Sequence, residues 1–268
     1  MYKPDLKNAV KFKDDYKMIP VCREIFSDFI TPIKALKKLM NESRHCYMLE
    51  SAENQEKWGR YTFLGYKPLF CVTCLNGLLK ITDVNGKLIN EINTSNPGEY
   101  IKNIMKEYTS PDIDGLPSFT GGLVGYFAYD YIKYSEPKLN LDANDEEGFN
   151  DLDLMLFDKV IVFDNVRQKM FVIANAKPDD FENNYIKAVE DINTIINILK
   201  YGKEKDVEPA RLESDYRALF DKETFCDMVE KAKKYVCEGD IFQVVLSNRL
   251  EADFSGSLFD TYRVLRTI

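Results

Sequence analysis

The sequence predicts an α+β fold, antiparallel β-sheets packed with helices, on three observations. Between Tyr61 and Ile92, short runs rich in β-branched and aromatic residues are separated by turn residues, the pattern of an antiparallel meander. Residues 179–199 carry Phe181, Tyr185, Val189, Ile192, Ile195, Ile196 and Leu199 at spacings of three and four, the signature of an amphipathic helix. Finally, 268 residues at 45% hydrophobic and 30% charged suffice to bury a sizeable core as one large domain or two small ones.

The elements follow in order. Thr31 and Pro32 predict a helix start, a capping hydroxyl followed by proline at the first helical position, and Ile33, Leu36, Leu39 and Met40 recur on one face. That helix leads into a strand ending at Glu50. Strands are predicted at 70–74 and 78–81, and Asn85-Gly86 signals a two-residue hairpin because this pair tolerates positive φ. A helix follows at 98–108 on Tyr100, Ile101, Ile104, Met105 and Tyr108. After an acidic loop at 140–151, the runs 152–163 and 169–174 flank a turn at 164–168 and predict one hairpin. Three domain segments result: 1–200, a polar linker at 201–220, and 221–268. The last contains a helix at 222–237 with Phe225, Met228, Val229, Ala232 and Val236 inward, a stop at Gly239, a strand at 241–250, and a helix capped by Ser255 or Ser257. That strand is apolar on both faces and predicts neighbours to bury it, so the chain is expected to be the N-terminal part of a longer one.

A formal charge of -8 argues against a general nucleic-acid binder, whose footprint is an excess of Lys and Arg. The polar N-terminus lacks the apolar core of a signal peptide, and no run approaches the ~18 apolar residues of a membrane span. A cytoplasmic protein is expected, with no membrane partner and with its six cysteines reduced rather than paired.

Most catalytic kits are poorly served. His45 is the one histidine, so a Ser-His-Asp or Cys-His relay would have to use it; the plainer reading is a structural or surface imidazole. Cys71 and Cys74 have metal-motif spacing, but on a strand residues three apart point to opposite faces. Gly121, Gly122 and Gly125 lack both the Gly-Lys-Ser/Thr ending of a Walker loop and the spacing of a dinucleotide loop; close backbone packing under large rings is the plainer reading. Leu49-Glu50-Ser51, by contrast, places a carboxylate, a hydroxyl and freed backbone groups at a strand end. An amino acid needs an acceptor for its ammonium and donors for its carboxylate, and both are available there. On the residues alone, a solvated acid followed by an ordinary turn remains open.

Three stretches together carry a family resemblance: Met48-Leu49-Glu50-Ser51-Ala52 with Trp58-Gly59-Arg60-Tyr61-Thr62-Phe63-Leu64-Gly65, the run from Phe119 to Asp130, and the run from Glu238 to Ser247. In this order they resemble the anthranilate synthase component I family of chorismate-utilising enzymes. The resemblance implies an N-terminal regulatory domain followed by the start of the chorismate-binding fold, with Leu49, Glu50 and Ser51 forming part of a feedback site for L-tryptophan. Burying an indole of ~150 to 250 Å² is worth roughly 4 to 6 kcal/mol gross, so apolar walls would supply affinity and the two polar residues orientation. It implies that the full protein converts chorismate and ammonia to anthranilate and pyruvate through aminodeoxyisochorismate with Mg²⁺, that a glutamine amidotransferase component II delivers the ammonia, and that the assembly is a heterotetramer.

The family's catalytic and Mg²⁺-binding residues fall downstream of the third motif, so none is assigned here, and the isolated chain is expected to be inactive. Related enzymes that add water to chorismate carry a lysine base on this strand. A neutral amide at Gln243 suits ammonia as nucleophile, and two readings stay open for it, a group near the substrate or a satisfied strand amide. Two alternatives stay open: aminodeoxychorismate synthase component I of folate biosynthesis, and a non-catalytic tryptophan-sensing or subunit-binding module.

Overall fold

In the computed structural model, residues 1–51, 59–136, 138–139 and 147–268 are described. Ala52 and Trp58 of the first motif and residues 140–146 of the expected acidic loop lie outside them. The chain divides into two units, Met1–Lys205 and Asp206–Ile268.

Among its described residues the first unit contains eleven strands in two antiparallel sheets. In chain order they are β1 (Tyr2–Lys3), β2 (Ile19–Phe26), β3 (Cys46–Leu49), β4 (Tyr61–Tyr66), β5 (Phe70–Leu75), β6 (Leu78–Thr82), β7 (Leu88–Asn93), β8 (Gly122–Phe127), β9 (Leu152–Phe157), β10 (Lys159–Asp164) and β11 (Lys169–Ala176). Its helices are α1 (Leu6–Ala9), α2 (Pro32–Glu42), α3 (Pro97–Lys106) and α4 (Phe181–Tyr201). One sheet has the order β1-β2-β11-β10-β4-β3 and the other β7-β6-β5-β9-β8.

The helices form where their caps and faces dictate. Thr31 caps α2, its hydroxyl accepting from Lys34 N at 3.3 Å with Pro32 in the first turn, and Asn96 caps α3 in the same way. Helix α4 buries Phe181, Tyr185, Ala188, Ile192, Ile195, Ile196 and Leu199 against β11, β2 and α2, a stripe recurring at three and four. Helix α3 lays Tyr100, Ile101 and Ile104 on the five-stranded sheet, over Val72, Cys74, Leu79, Leu152 and Leu154. Strands β10 and β11 are central and buried almost throughout, which is why both read as continuous apolar runs rather than alternating ones.

Two features of this unit differ from the sequence expectation. The run 152–163 is not one arm of a hairpin: it breaks at Asp158, β9 pairing with β5 and β8 while β10 pairs with β11 and β4. The corner is held because Asn175 donates to the Asp158 carbonyl from its backbone N–H at 3.1 Å and from its side-chain amide at 2.8 Å. Chain continuity of an apolar run says nothing about a change of sheet, so the break is invisible in hydropathy. The loop at Asn85-Gly86 is also wider than two residues. Asp83 and Lys87 close it, and the Asp83 carboxylate accepts from Asn85 N and Lys87 N at 2.9 and 2.8 Å.

The second unit contains β12 (Arg211–Leu212), β13 (Arg217–Ala218), α5 (Lys222–Glu238), β14 (Leu250–Glu251), β15 (Phe254–Ser255) and α6 (Phe259–Leu265). Two short ladders, β12 with β15 and β13 with β14, tie its ends together; part of the stretch expected as linker therefore pairs. Asp221 caps α5 by accepting from Thr224 N at 2.8 Å, and Gly239 ends it at φ 83°. The strand expected at 241–250 is reduced to Leu250–Glu251, and Phe242 and Val245 are exposed. A strand exists only through its ladder, and among the described residues none pairs with 241–249. Nor does α5 bury the face expected to point inward, having no buried residue.

Candidate functional site

The strand that carries Leu49 is the last of the six-stranded sheet, paired among the described residues to β4 alone, with Cys46↔Tyr66, Tyr47↔Gly65, Met48↔Leu64 and Leu49↔Phe63 opposite one another. Gly65 is required by this register. A Cβ there would meet the Tyr47 ring at 2.2 Å, so glycine lets the tyrosine cross its neighbour and pack edge-on against Phe157, with centroids 4.7 Å apart. Opposite Leu49, Phe63 meets Phe119 edge to face at 5.7 Å. The strand end of the first motif thus lies one cross-strand step from the start of the glycine-aromatic stretch.

Leu49 is exposed, Glu50 half-buried and Ser51 exposed, and Glu50 and Ser51 each already take part in an interaction within the chain. Leu49 is the last residue of β3, and Glu50 and Ser51 follow it directly. Gln243 lies in the second unit and is exposed.

The β4 end facing them is organised by two residues that sequence reasoning passed over as a turn. Asp164 has no exposed surface, and its Oδ2 accepts from Arg60 Nε at 3.1 Å and Nη2 at 2.6 Å, while Oδ1 accepts from Arg167 N at 3.0 Å. The guanidinium lies over the Tyr61 ring, 4.7 Å from its centroid, a stacked arrangement open to arginine more than to lysine. Asn165 donates its N–H to the Arg60 carbonyl at 2.8 Å and its side-chain amide to Gly59 O at 3.4 Å and Thr62 Oγ1 at 3.2 Å. A buried carboxylate demands a counter-charge. Its identity, 104 positions away, carries no local signal.

Burial alone would raise the Asp164 pKa, but the Arg60 hydrogen bonds, with the Arg167 N–H, outweigh it and hold the carboxyl below its ordinary range. A carboxylate whose folded pKa is depressed contributes stability above the unfolded value of about 3.9, and that contribution disappears as pH falls through the folded value. Asp164→Asn is therefore expected to cost about 2 kcal/mol at neutral pH, with the difference from the parent chain shrinking as pH drops below the ordinary carboxylate range. Urea denaturation across an acid series measures it; a gap constant with pH would contradict the assignment.

The remaining sequence candidates lie elsewhere in the first unit. The His45 ring reaches Val84 O at 3.3 Å, beside the β6–β7 turn. Cys71 is half-buried and Cys74 buried, burial pushing both thiols up. Gly121 precedes the edge strand β8 and Gly122 and Gly125 lie within it, and the close approach at Gly125 is to the backbone of Asp153, not to a ring. Among the described residues no three His, Cys, Asp or Glu side chains converge as metal ligands would, and no helix is long and apolar enough to cross a membrane.

Residues 44–268, the stretch that carries all three motifs, match the family described as chorismate binding enzyme, and the chain belongs to it. Within that class, the chain is 37% identical to anthranilate synthase component 1 of Acetivibrio thermocellus over 100% of its own length and 55% of the relative's. It is 33% identical to the component of that name from Acinetobacter calcoaceticus, over 94% of this chain and 50% of the relative. The crystal structure of anthranilate synthase component I from Streptococcus pneumoniae TIGR4 superposes with a TM-score of 0.62 at 28% identity, covering 91% of this chain and 52% of that one. The chain spans about half the length of the relatives it matches.

Proposed function

We propose that this chain is the amino-terminal, effector-responsive half of an anthranilate synthase large component. In that reading the full protein turns chorismate and ammonia into anthranilate and pyruvate, and a glutamine amidotransferase component supplies the ammonia. L-Tryptophan, the end product, engages the strand end formed by Leu49, Glu50 and Ser51. The observation that carries the reading is identity along the entire chain to relatives of that name, and the placement of Leu49 opposite Phe63 at the sheet edge supports the effector site.

Glu50 would accept from the effector's ammonium and Ser51 would hydrogen-bond its carboxylate. Inhibition requires tryptophan to bind an inactive arrangement better than the active one, since an effector with equal affinity for both shifts nothing. Mg²⁺ would hold the substrate carboxylate and stabilise charge during elimination. No cluster of the described residues suits that ion.

The test is anthranilate fluorescence from the full-length protein supplied with chorismate and either ammonium or glutamine plus the amidotransferase. Anthranilate should form, and tryptophan should suppress it. Ser51→Phe fills the effector's space and should abolish suppression while leaving turnover intact. Formation of aminodeoxychorismate in place of anthranilate would overturn the reaction assigned, and unchanged inhibition in Ser51→Phe would overturn the effector site. By calorimetry, the 268-residue chain alone should bind tryptophan weakly or not at all; low-micromolar binding would favour a self-contained sensing module.

A further inference from the structure

We infer that Arg60, Asp164 and Asn165 are positioning residues that clamp the far root of the β3–β4 connection, and so set how sensitively the Glu50–Ser51 site responds to its amino-acid effector. This rests on the effector reading proposed above.

The connection between β3 and β4 has two roots. At the first, Leu49 is held by ladder pairing to Phe63, on an edge strand of four residues. At the second, Gly59 and Arg60 precede β4 and are held from outside the ladder. Asp164 takes the guanidinium through two N–H groups, and Asn165 takes the carbonyls of both Gly59 and Arg60 together with the Thr62 hydroxyl. Asp164 ends β10 and Asn165 begins the turn to β11, and these two central strands are the most buried part of the sheet. The clamp therefore ties Gly59 and Arg60 to the buried centre of the sheet.

A carboxylate at this buried position is a poor choice for stability, because an apolar residue of similar volume avoids its desolvation. The Arg60 side chain is partly open, at 33% exposure, while the Asp164 side chain is at 0%. The pair thus joins a buried anchor to a residue at the surface root of the connection. Removing the clamp frees the second root, and an effector binding at the first root must then order that backbone as part of binding. Affinity falls while the apolar core, and the chemistry elsewhere in the protein, keep their structure.

The experiment uses the full-length enzyme with its amidotransferase component and reads the tryptophan concentration giving half inhibition, together with kcat and KM for chorismate without tryptophan. Arg60→Lys keeps the charge and loses the fork; Asn165→Ala removes the side-chain amide and leaves the ion pair. Each should raise the half-inhibition concentration roughly tenfold, the effect of ordering about one extra residue, with kcat and KM unchanged. Ile92→Ala, in the other sheet, serves as a control for general destabilisation and should leave the response unmoved. An unchanged response in both clamp variants of a tryptophan-inhibited parent overturns the clamp alone, as does an equal shift in Ile92→Ala. A parent enzyme that tryptophan does not inhibit overturns the effector reading and the clamp with it.

Discussion

Gly125→Ala is expected to lower the thermal midpoint of the chain by about 10 °C. Gly125 lies opposite Leu154 in the β8–β9 ladder, and a Cβ added there would sit 1.9 Å from the Asp153 carbonyl oxygen and 2.9 Å from the Leu154 Cα. Both are backbone atoms, so no rotamer change makes room; the strands themselves must separate. Overpacking against an immovable neighbour costs about 3 kcal/mol, and each kcal/mol is worth roughly 2 to 4 °C at this size. The damage concentrates on β8, which among the described residues has β9 as its one partner. Gly86→Ala provides the contrast, since nothing lies within 4 Å of its Cβ and only the positive φ of 85° is penalised, at about 1 kcal/mol. Circular dichroism melts of the two variants decide the matter. Equal losses would show that chain conformation, not the approach of Asp153, keeps glycine at 125.

Asp151→Ala is expected to cost about 3 kcal/mol and to loosen residues 129–134 before the rest of the unit. Asp151 is 3% exposed. Its Oδ1 accepts from Lys133 Nζ at 2.6 Å, and its Oδ2 from Tyr134 OH at 2.6 Å and Asn76 N at 2.7 Å, while the Tyr134 oxygen accepts from Gly77 N at 2.6 Å. One carboxylate therefore knots the 3-10 segment Tyr129–Tyr134 to the β5–β6 turn. Burial first, then the bond to Asp151, push the Tyr134 pKa well up, so the phenol stays a neutral donor at any working pH. Alanine strands the phenol, the Asn76 N–H and the lysine together, which is why the loss exceeds that of one hydrogen bond. Urea titration measures the total, and hydrogen exchange at 129–134 measures its location. A loss spread evenly over the unit would argue against a local knot.

Helices were the most legible elements. The cap at Thr31, the stop at Gly239 and the stripe of α4 are local patterns, written within one or two turns, and the structure realises them where they are written. The glycine-aromatic stretch was legible as close backbone packing, although a neighbouring carbonyl rather than a ring makes the closest contact at Gly125. The clamp beneath the candidate site was not legible. Asp164 and Asn165 look like ordinary turn residues, and nothing in their neighbourhood points to Arg60 or Gly59.

By itself, the sequence determined the α+β class, the family motifs and the strand end at Leu49-Glu50-Ser51, because period, caps and turn chemistry act over a few consecutive residues. Only the tertiary structure decided that the run 152–164 leaves one sheet for the other at Asp158, that Tyr47 crosses Gly65, and that Arg60 pairs with Asp164. The physical reason is common to all three. Each is a choice of partner across a long stretch of chain, settled by which surfaces meet and which buried charge must be compensated, and no local pattern encodes that choice.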